Sequence, residues 1–290
     1  MQIIVNILVL TCIYALIASG YVLIYKVSRV LNFAHGELMV LGAYLLLAMA
    51  SAVPIDPLWS IAFAVAFSGL IGALLYLLLM RNMTGQPILS AILVTVALGI
   101  LIRGIIALIW SPQTFNLALA AQIPFRSVPV FADASISLVA LALVIATILS
   151  YAGLFAFMRF SRWGMRMRAV GQNPLLAAQR GIQLHAVYAI AWSLAPFTGS
   201  MAGILVAADR RLEISLAVLG LKAFPAALVG GMDSLYGAVI GALVVAASEV
   251  LLIHYVDPLL SDVVPFFILI AMLAVRPWGL FGTRENLDRV

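Results

Sequence analysis

The chain has little of what a soluble enzyme uses. Only 9% of its 290 residues are charged, against about 25% in ordinary soluble domains. Lysine occurs only at Lys26 and Lys222, and no G-x-x-x-x-G-K-[ST] is present; ATP cannot be bound here in the P-loop manner. The single cysteine, Cys12, excludes a disulfide within the chain and a thiolate metal site. His35, His185 and His254 are far apart and carry no metal-ligand spacing, and neither H-E-x-x-H nor G-x-S-x-G occurs. Enzyme function is therefore unsupported, and no cofactor is expected on this chain. No long linker, low-complexity tract or short-period repeat interrupts it, so it reads as one membrane domain over residues 1–290.

What is present is hydrocarbon. The chain is 65% hydrophobic, with a mean hydropathy of +1.19. Lipid admits only helices or closed barrels, and barrel strands alternate apolar and polar residues. These runs are apolar all round, so the expected class is an all-α polytopic membrane protein. A span needs roughly 20 apolar residues. Ile3–Tyr25, Leu58–Met80, Ile88–Trp110, Ile136–Met158, His185–Ala208 and Leu235–Ile253 qualify, and Val263–Val275 is expected to extend through Pro277 and Trp278. The first run has no basic leader and reads as a retained helix. Two segments are irregular, near 31–37 and 214–231, and each is a candidate for a broken or re-entrant helix. Counting both gives nine crossings, or eight if one is re-entrant.

The net charge of +5 sits between apolar runs and reports orientation, not nucleic acid. With the N-terminus outside, inner segments hold Lys26, Arg29, Arg81, Arg159, Arg162, Arg166, Arg168, Arg180, Arg276, Arg284 and Arg289. Outer segments hold only Arg126, Arg210 and Arg211. This bias predicts N-out, C-in. Trp59 and Trp110 then fall at outer ends and Trp278 at an inner end, as interfacial anchors. Gly199-x-x-x-Gly203 and Gly237-x-x-x-Gly241 fit close helix packing.

Polar groups at membrane depth are expensive and read as functional by default. Asn32, His35 and Glu37 fall within six residues. They fit a helix start at the inner surface, with Asn32 as cap and Glu37 in the first turn. Gating, subunit contact and solute contact are the other readings. Lys222 is either a charge near a pore, a partner for an acid such as Glu249, or a snorkelling side chain. Pro225 predicts a kink beside it, and interrupted helices can mark transport sites. Arg103 is expected to pair within the bundle, and Glu249 to make a structural hydrogen bond near an outer helix end where water reaches it. Asp209, Arg210, Arg211 and Glu213 form the densest outer charge cluster: an ordinary interfacial flank, or a surface that orients a soluble partner.

The longest inner segment, 159–183, carries Arg162, Arg166 and Arg168, which suit contact with anionic membrane lipid. Asn173 and Pro174 can open a short helix as cap and first residue. Leu175, Leu176, Ala177 and Ala178 follow, and Gly181 can end it. Such a helix is either a plain connector or a surface for a soluble partner.

Four blocks in order resemble one family. LNFAHGELMVLGAYL (31–45), RAVGQNPLLAAQRGI (168–182), LKAFPAALVGGMDSLYGAVIGALVVAASEVL (221–251) and RPWGLFG (276–282) are similar to signatures of branched-chain amino acid ABC transporter permeases of the LivH type. Gly171-Gln172-Asn173-Pro174 is less acidic than is common there, and Asp233, Ser234 and Tyr236 replace smaller residues. The resemblance implies a non-catalytic permease subunit in a bacterial inner (cytoplasmic) membrane. It implies a second permease of the LivM type, two ATPase subunits that carry ATP and Mg, and an extracytoplasmic substrate-binding protein. It makes Asn173–Gly181 the coupling helix. The solute would be a branched-chain amino acid or a related small polar or organic-acid molecule. A secondary carrier or channel using Glu37, Lys222 or Glu249 is the alternative, and a structural membrane subunit is a third.

Overall fold

The structure, a computed structural model, describes residues 1–52, 56–124, 126–131 and 134–283. Seven of its helices are long and apolar enough to cross a membrane: α1 (Gln2–Ser28), α2 (His35–Ala52), α3 (Pro57–Leu78), α4 (Ile88–Trp110), α6 (Leu138–Phe160), α9 (Leu184–Asp209) and α11 (Leu235–Tyr255). Two shorter apolar helices, α10 (Ala217–Gly230) and α12 (Val264–Val275), pack among them. Short helices α5 (Leu117–Ala120), α7 (Arg162–Gln172) and α8 (Pro174–Gln179) lie in connections. The bundle is that of a polytopic helical membrane protein.

α1 is the hub and packs against α2, α6, α7, α9, α10 and α11. With no amphipathic face to sort these helices, close approach of small residues does so. Gly199 and Gly203 of α9 face His35 and Met39 of α2, while Gly237 and Gly241 of α11 face the backbone of α10. At the α2–α10 contact Gly36 and Gly220 meet backbone to backbone, and a Cβ on Gly220 would collide with the Cα of Gly36.

Contacts sort the helix termini into two ends. At the end holding residue 1, Gln2 bonds Ser135, and Phe115 pairs with Leu212 in an isolated bridge. At the opposite end the Lys26 ammonium donates to the Asp233 carbonyl (2.9 Å), and Arg168 donates to the Met158 carbonyl. We call these the N-terminal and basic ends. Lys26, Arg29, Arg81, Arg159, Arg162, Arg166, Arg168, Arg180 and Arg276 belong to segments at the basic end; Arg284 and Arg289 lie outside the described residues.

One expectation changes, and two segments gain detail. In the connection 111–135, β1 (Ser127–Phe131) and β2 (Ala134–Ser137) form an antiparallel pair that ends where α6 begins, capped by Ser137. α12 does not continue through Pro277 and Trp278. It stops at Val275, and the chain turns at Gly279 (φ +78°) so that Leu280 and Phe281 donate to the carbonyls of Val229 and Gly230. These bonds satisfy carbonyls at the α10 terminus. The segment 214–231 is a 3-10 turn (Ile214–Leu216) followed by one helix that contains Pro225 internally.

Candidate functional site

The polar cluster does not lie at the basic surface. After α1 ends at Ser28, with Arg29 in the left-handed region (φ 55°), the chain re-enters the bundle without helical structure. The Phe33 amide donates to Thr95 Oγ1 (3.2 Å), and Thr95 Oγ1 lies 3.3 Å from the Leu31 carbonyl. Asn32 Oδ1 accepts from the Ala34 amide (3.1 Å). His35 Nε2 then meets the Ile17 carbonyl at 3.1 Å, so this nitrogen carries the proton. From Ile17 to Ser28 α1 rises about 16 Å. α2 therefore starts deep in the bundle, because buried backbone finds acceptors there in Thr95, Asn32 and α1.

Asn32 and His35 are fully buried, and among the described residues Asn32 Nδ2 and His35 Nδ1 have no hydrogen-bond partner. A Cβ on Gly20 would strike the His35 ring, which also stands edge-on to Tyr21 at 4.7 Å. These two side chains shape the helix start and do not reach a surface. Glu37 does. Its Oε1 accepts from Arg103 Nη2 at 3.0 Å, with the arginine side chain 50% exposed and the glutamate 16%. The expected pairing of Arg103 is found, on the exterior of α4.

A second polar constellation lies toward the N-terminal end. Lys222 Nζ is 3.2 Å from Glu249 Oε1 and 2.7 Å from Asp262 Oδ1. The Tyr14 hydroxyl donates to Glu249 Oε2 at 2.5 Å. Lys222 and Glu249 are both buried. Lys222 does partner Glu249, and Glu249 makes its structural hydrogen bond from a buried position. The Lys222 hydrogen bond and charge hold the exposed Asp262 carboxyl below the usual carboxylate range. Tyr14, Lys222, Glu249 and Asp262 line a cavity of about 810 Å³ that also reaches Asp209 and Arg210. Tyr14 and Asp262 carried no sequence signal. One is an ordinary residue in an apolar run, and the other lies in the 3-10 turn Pro258–Asp262, brought to Lys222 only by the fold.

The two surface candidates are placed at opposite ends. At the N-terminal end Asp209 accepts from Ser137, and Glu213 accepts from Ser215. Arg210 and Arg211 project outward. At the basic end Asn173 Oδ1 accepts from the Leu176 amide (3.0 Å), Pro174 is the first residue of α8, and Gly181 (φ +81°) turns the chain away. Ala177 is buried, whereas Leu175 and Leu176 are 69% and 57% exposed. The preceding α7 was not expected. It buries Gly164, Met167 and Val170 and leaves Arg162, Arg166 and Arg168 exposed, and Arg166 stacks on Trp163 (4.7 Å). Its buried positions recur at every third residue with arginines between them, an amphipathic spacing that the sequence reading passed over.

The family described as branched-chain amino acid transport system / permease component matches residues 3–273. The chain belongs to this family. The permease is 30% identical to the high-affinity branched-chain amino acid transport system permease protein LivH of Salmonella typhimurium, over 96% of this chain and 93% of that one. It is 28% identical to the permease protein BraD of Pseudomonas aeruginosa, over 100% of this chain and 98% of that one. With the probable LivH of Methanocaldococcus jannaschii it shares 26% identity, over 92% of this chain and 88% of that one. PsaBC from Streptococcus pneumoniae, solved in complex with Fab, superposes with a TM-score of 0.50 at 12% identity, covering 96% of this chain and 93% of that one. That likeness concerns the fold alone. The permease is thus of the LivH type, a multi-pass member of the branched-chain amino acid ABC permeases.

Proposed function

We propose that the permease is a transmembrane subunit of an ATP-driven importer for branched-chain amino acids or a related small polar or organic-acid solute. It forms one domain over residues 1–290 in the bacterial inner membrane, crosses nine times, and keeps its N-terminus outside. The nine helices α1–α4, α6 and α9–α12 support that count, and the arginine-rich end supports the orientation. It assembles with a second permease of the LivM type, two ATPase subunits that hold ATP and Mg, and an extracytoplasmic binding protein. The loop 159–183 is cytoplasmic, and Asn173, Pro174, Leu175, Leu176, Ala177, Ala178 and Gly181 couple to the ATPase.

The observation that carries this reading is α8. Two leucines stand exposed on a capped turn at the end of the bundle richest in arginine, a surface suited to an apolar groove on a soluble partner. Asp209, Arg210, Arg211 and Glu213 receive the binding protein. Glu37 and Lys222 are the pathway or gate residues, with Asn32, His35 and Pro225 shaping the backbone beside them. Purification of the intact complex tests the reading. ATPase subunits should accompany the permease, and uptake into vesicles should require ATP. The buried Lys222–Glu249 pair favours one second reading, a secondary carrier. Uptake that proceeds without ATP and collapses with the proton gradient would select it.

A further inference from the structure

The Glu37–Arg103 pair stands out by its place. α4 is apolar over 23 residues, with Arg103 as its one charge. From Arg103 to Trp110 the helix rises about 10 Å. Trp110 packs on Tyr44 of α2 (5.2 Å), and from Glu37 to Tyr44 the rise is again about 10 Å. The pair therefore sits well inside a hydrocarbon layer about 30 Å thick. Half the arginine side chain is exposed there. Of its five donors, Nη2 is engaged by Glu37, and no other hydrogen bond to this side chain occurs among the described residues.

Lipid does not suit such a group, because unpaired donors in hydrocarbon cost several kcal/mol. A charged side chain at this depth faces either a protein partner or a water-filled path. The non-helical stretch 29–34 lies on the basic side of the pair, with Ala34 against Gly99 and with Leu31 and Phe33 part-exposed at the level of Thr95. Irregular backbone at such depth is tolerated where it is buried or lines an aqueous cavity. Gly99 leaves room for Glu37 Oε2, and Gly104, next to Arg103, faces open space. The exposed α4 neighbours Ile100, Leu101, Ile105 and Leu108 are apolar, so Arg103 is the one charge on this face.

We infer that this face lines a hydrated solute path and that Arg103 is the point on it that receives a carboxylate. A guanidinium presents a planar fork that matches a carboxylate bidentately. Glu37 holds that fork in place, neutralises it when the path is empty, and offers an acceptor to the ammonium of an α-amino acid. The inference rests on the import reading for its solute class and adds a recognition point to it.

The experiment uses the complete transporter in proteoliposomes, with Cys12→Ser as background. Gly104→Cys is treated with a charged thiol reagent, and Gln113→Cys in the exposed loop sets full aqueous reactivity. We expect Gly104→Cys to react and leucine to slow the reaction. Failure to react in the complete complex overturns the inference. Reaction of the isolated permease would then show that a partner subunit covers this face, and no reaction in either would show lipid. Separately, Arg103→Gln should raise the KM for leucine on the order of tenfold or more, as expected for a lost charged hydrogen bond. It should erase the preference for leucine over leucinamide, and Arg103→Lys should restore part of both. An unchanged acid-to-amide preference overturns the assignment of the carboxylate, and the double variant Glu37→Gln/Arg103→Gln controls for folding. The import reading fails on a different result, a wild-type complex without ATP-dependent uptake, and the labelling outcome does not depend on it.

Discussion

At the residue scale the charges of this permease divide by what surrounds them. Lys222 and Glu249 are buried together, with Asp262 against the lysine and Tyr14 against the glutamate, whereas Arg103 faces outward. Breaking a buried pair leaves a charge with no counterion and costs about 3–5 kcal/mol, while replacing both partners by apolar residues is often neutral. Lys222→Met should therefore lower thermal stability in detergent sharply, and Lys222→Met/Glu249→Met should recover most of it. Equal losses in the single and double variants would show that the pair is not the stabilising unit. Uptake by the double variant separates structure from gating. A stable protein that no longer transports would place the pair on the path.

Among the elements, α8 is the one whose chemistry was most legible. Asn-Pro followed by two leucines and a later Gly specifies a cap, a first residue, an apolar turn and a stop, and the structure has each. Replacing both Leu175 and Leu176 by Asp should lower retention of the proposed ATPase subunits in pull-downs without changing the thermal unfolding of the membrane bundle. Their side chains are exposed and contribute little to packing within the chain. Unchanged retention and unchanged transport would reject the coupling assignment. The re-entrant start of α2 was legible in kind and not in place. LNFAHGEL signals a break, but its depth is set by acceptors on α1 and α4 that lie far away in sequence.

For the whole molecule, the two ends differ in what they present. The N-terminal end carries Arg210 and Arg211 beside a polar cavity, and the basic end carries α7 and α8. Exposed charges act on association over roughly a Debye length, about 10 Å at 0.1 M salt. Charge reversal at both arginines should slow docking of the proposed binding protein at low salt and have a smaller effect at high salt. A salt-independent loss would point to a structural defect instead of steering.

The sequence by itself determined the class, most of the long helices and the family. Long apolar runs admit only spanning helices, and the motif blocks are local in the chain. Capping at Asn173 was equally local. The tertiary structure decided the rest. It carried Asn32 and His35 from the surface into the core, set Glu37 against Arg103, and joined Lys222 to Glu249 and Asp262, with Tyr14 on Glu249. The reason is physical. Apolar helices in lipid have no polar face to fix their rotation, so which residues meet depends on small-residue contacts such as Gly36–Gly220 and Gly203–Met39. No periodicity along the chain encodes those contacts.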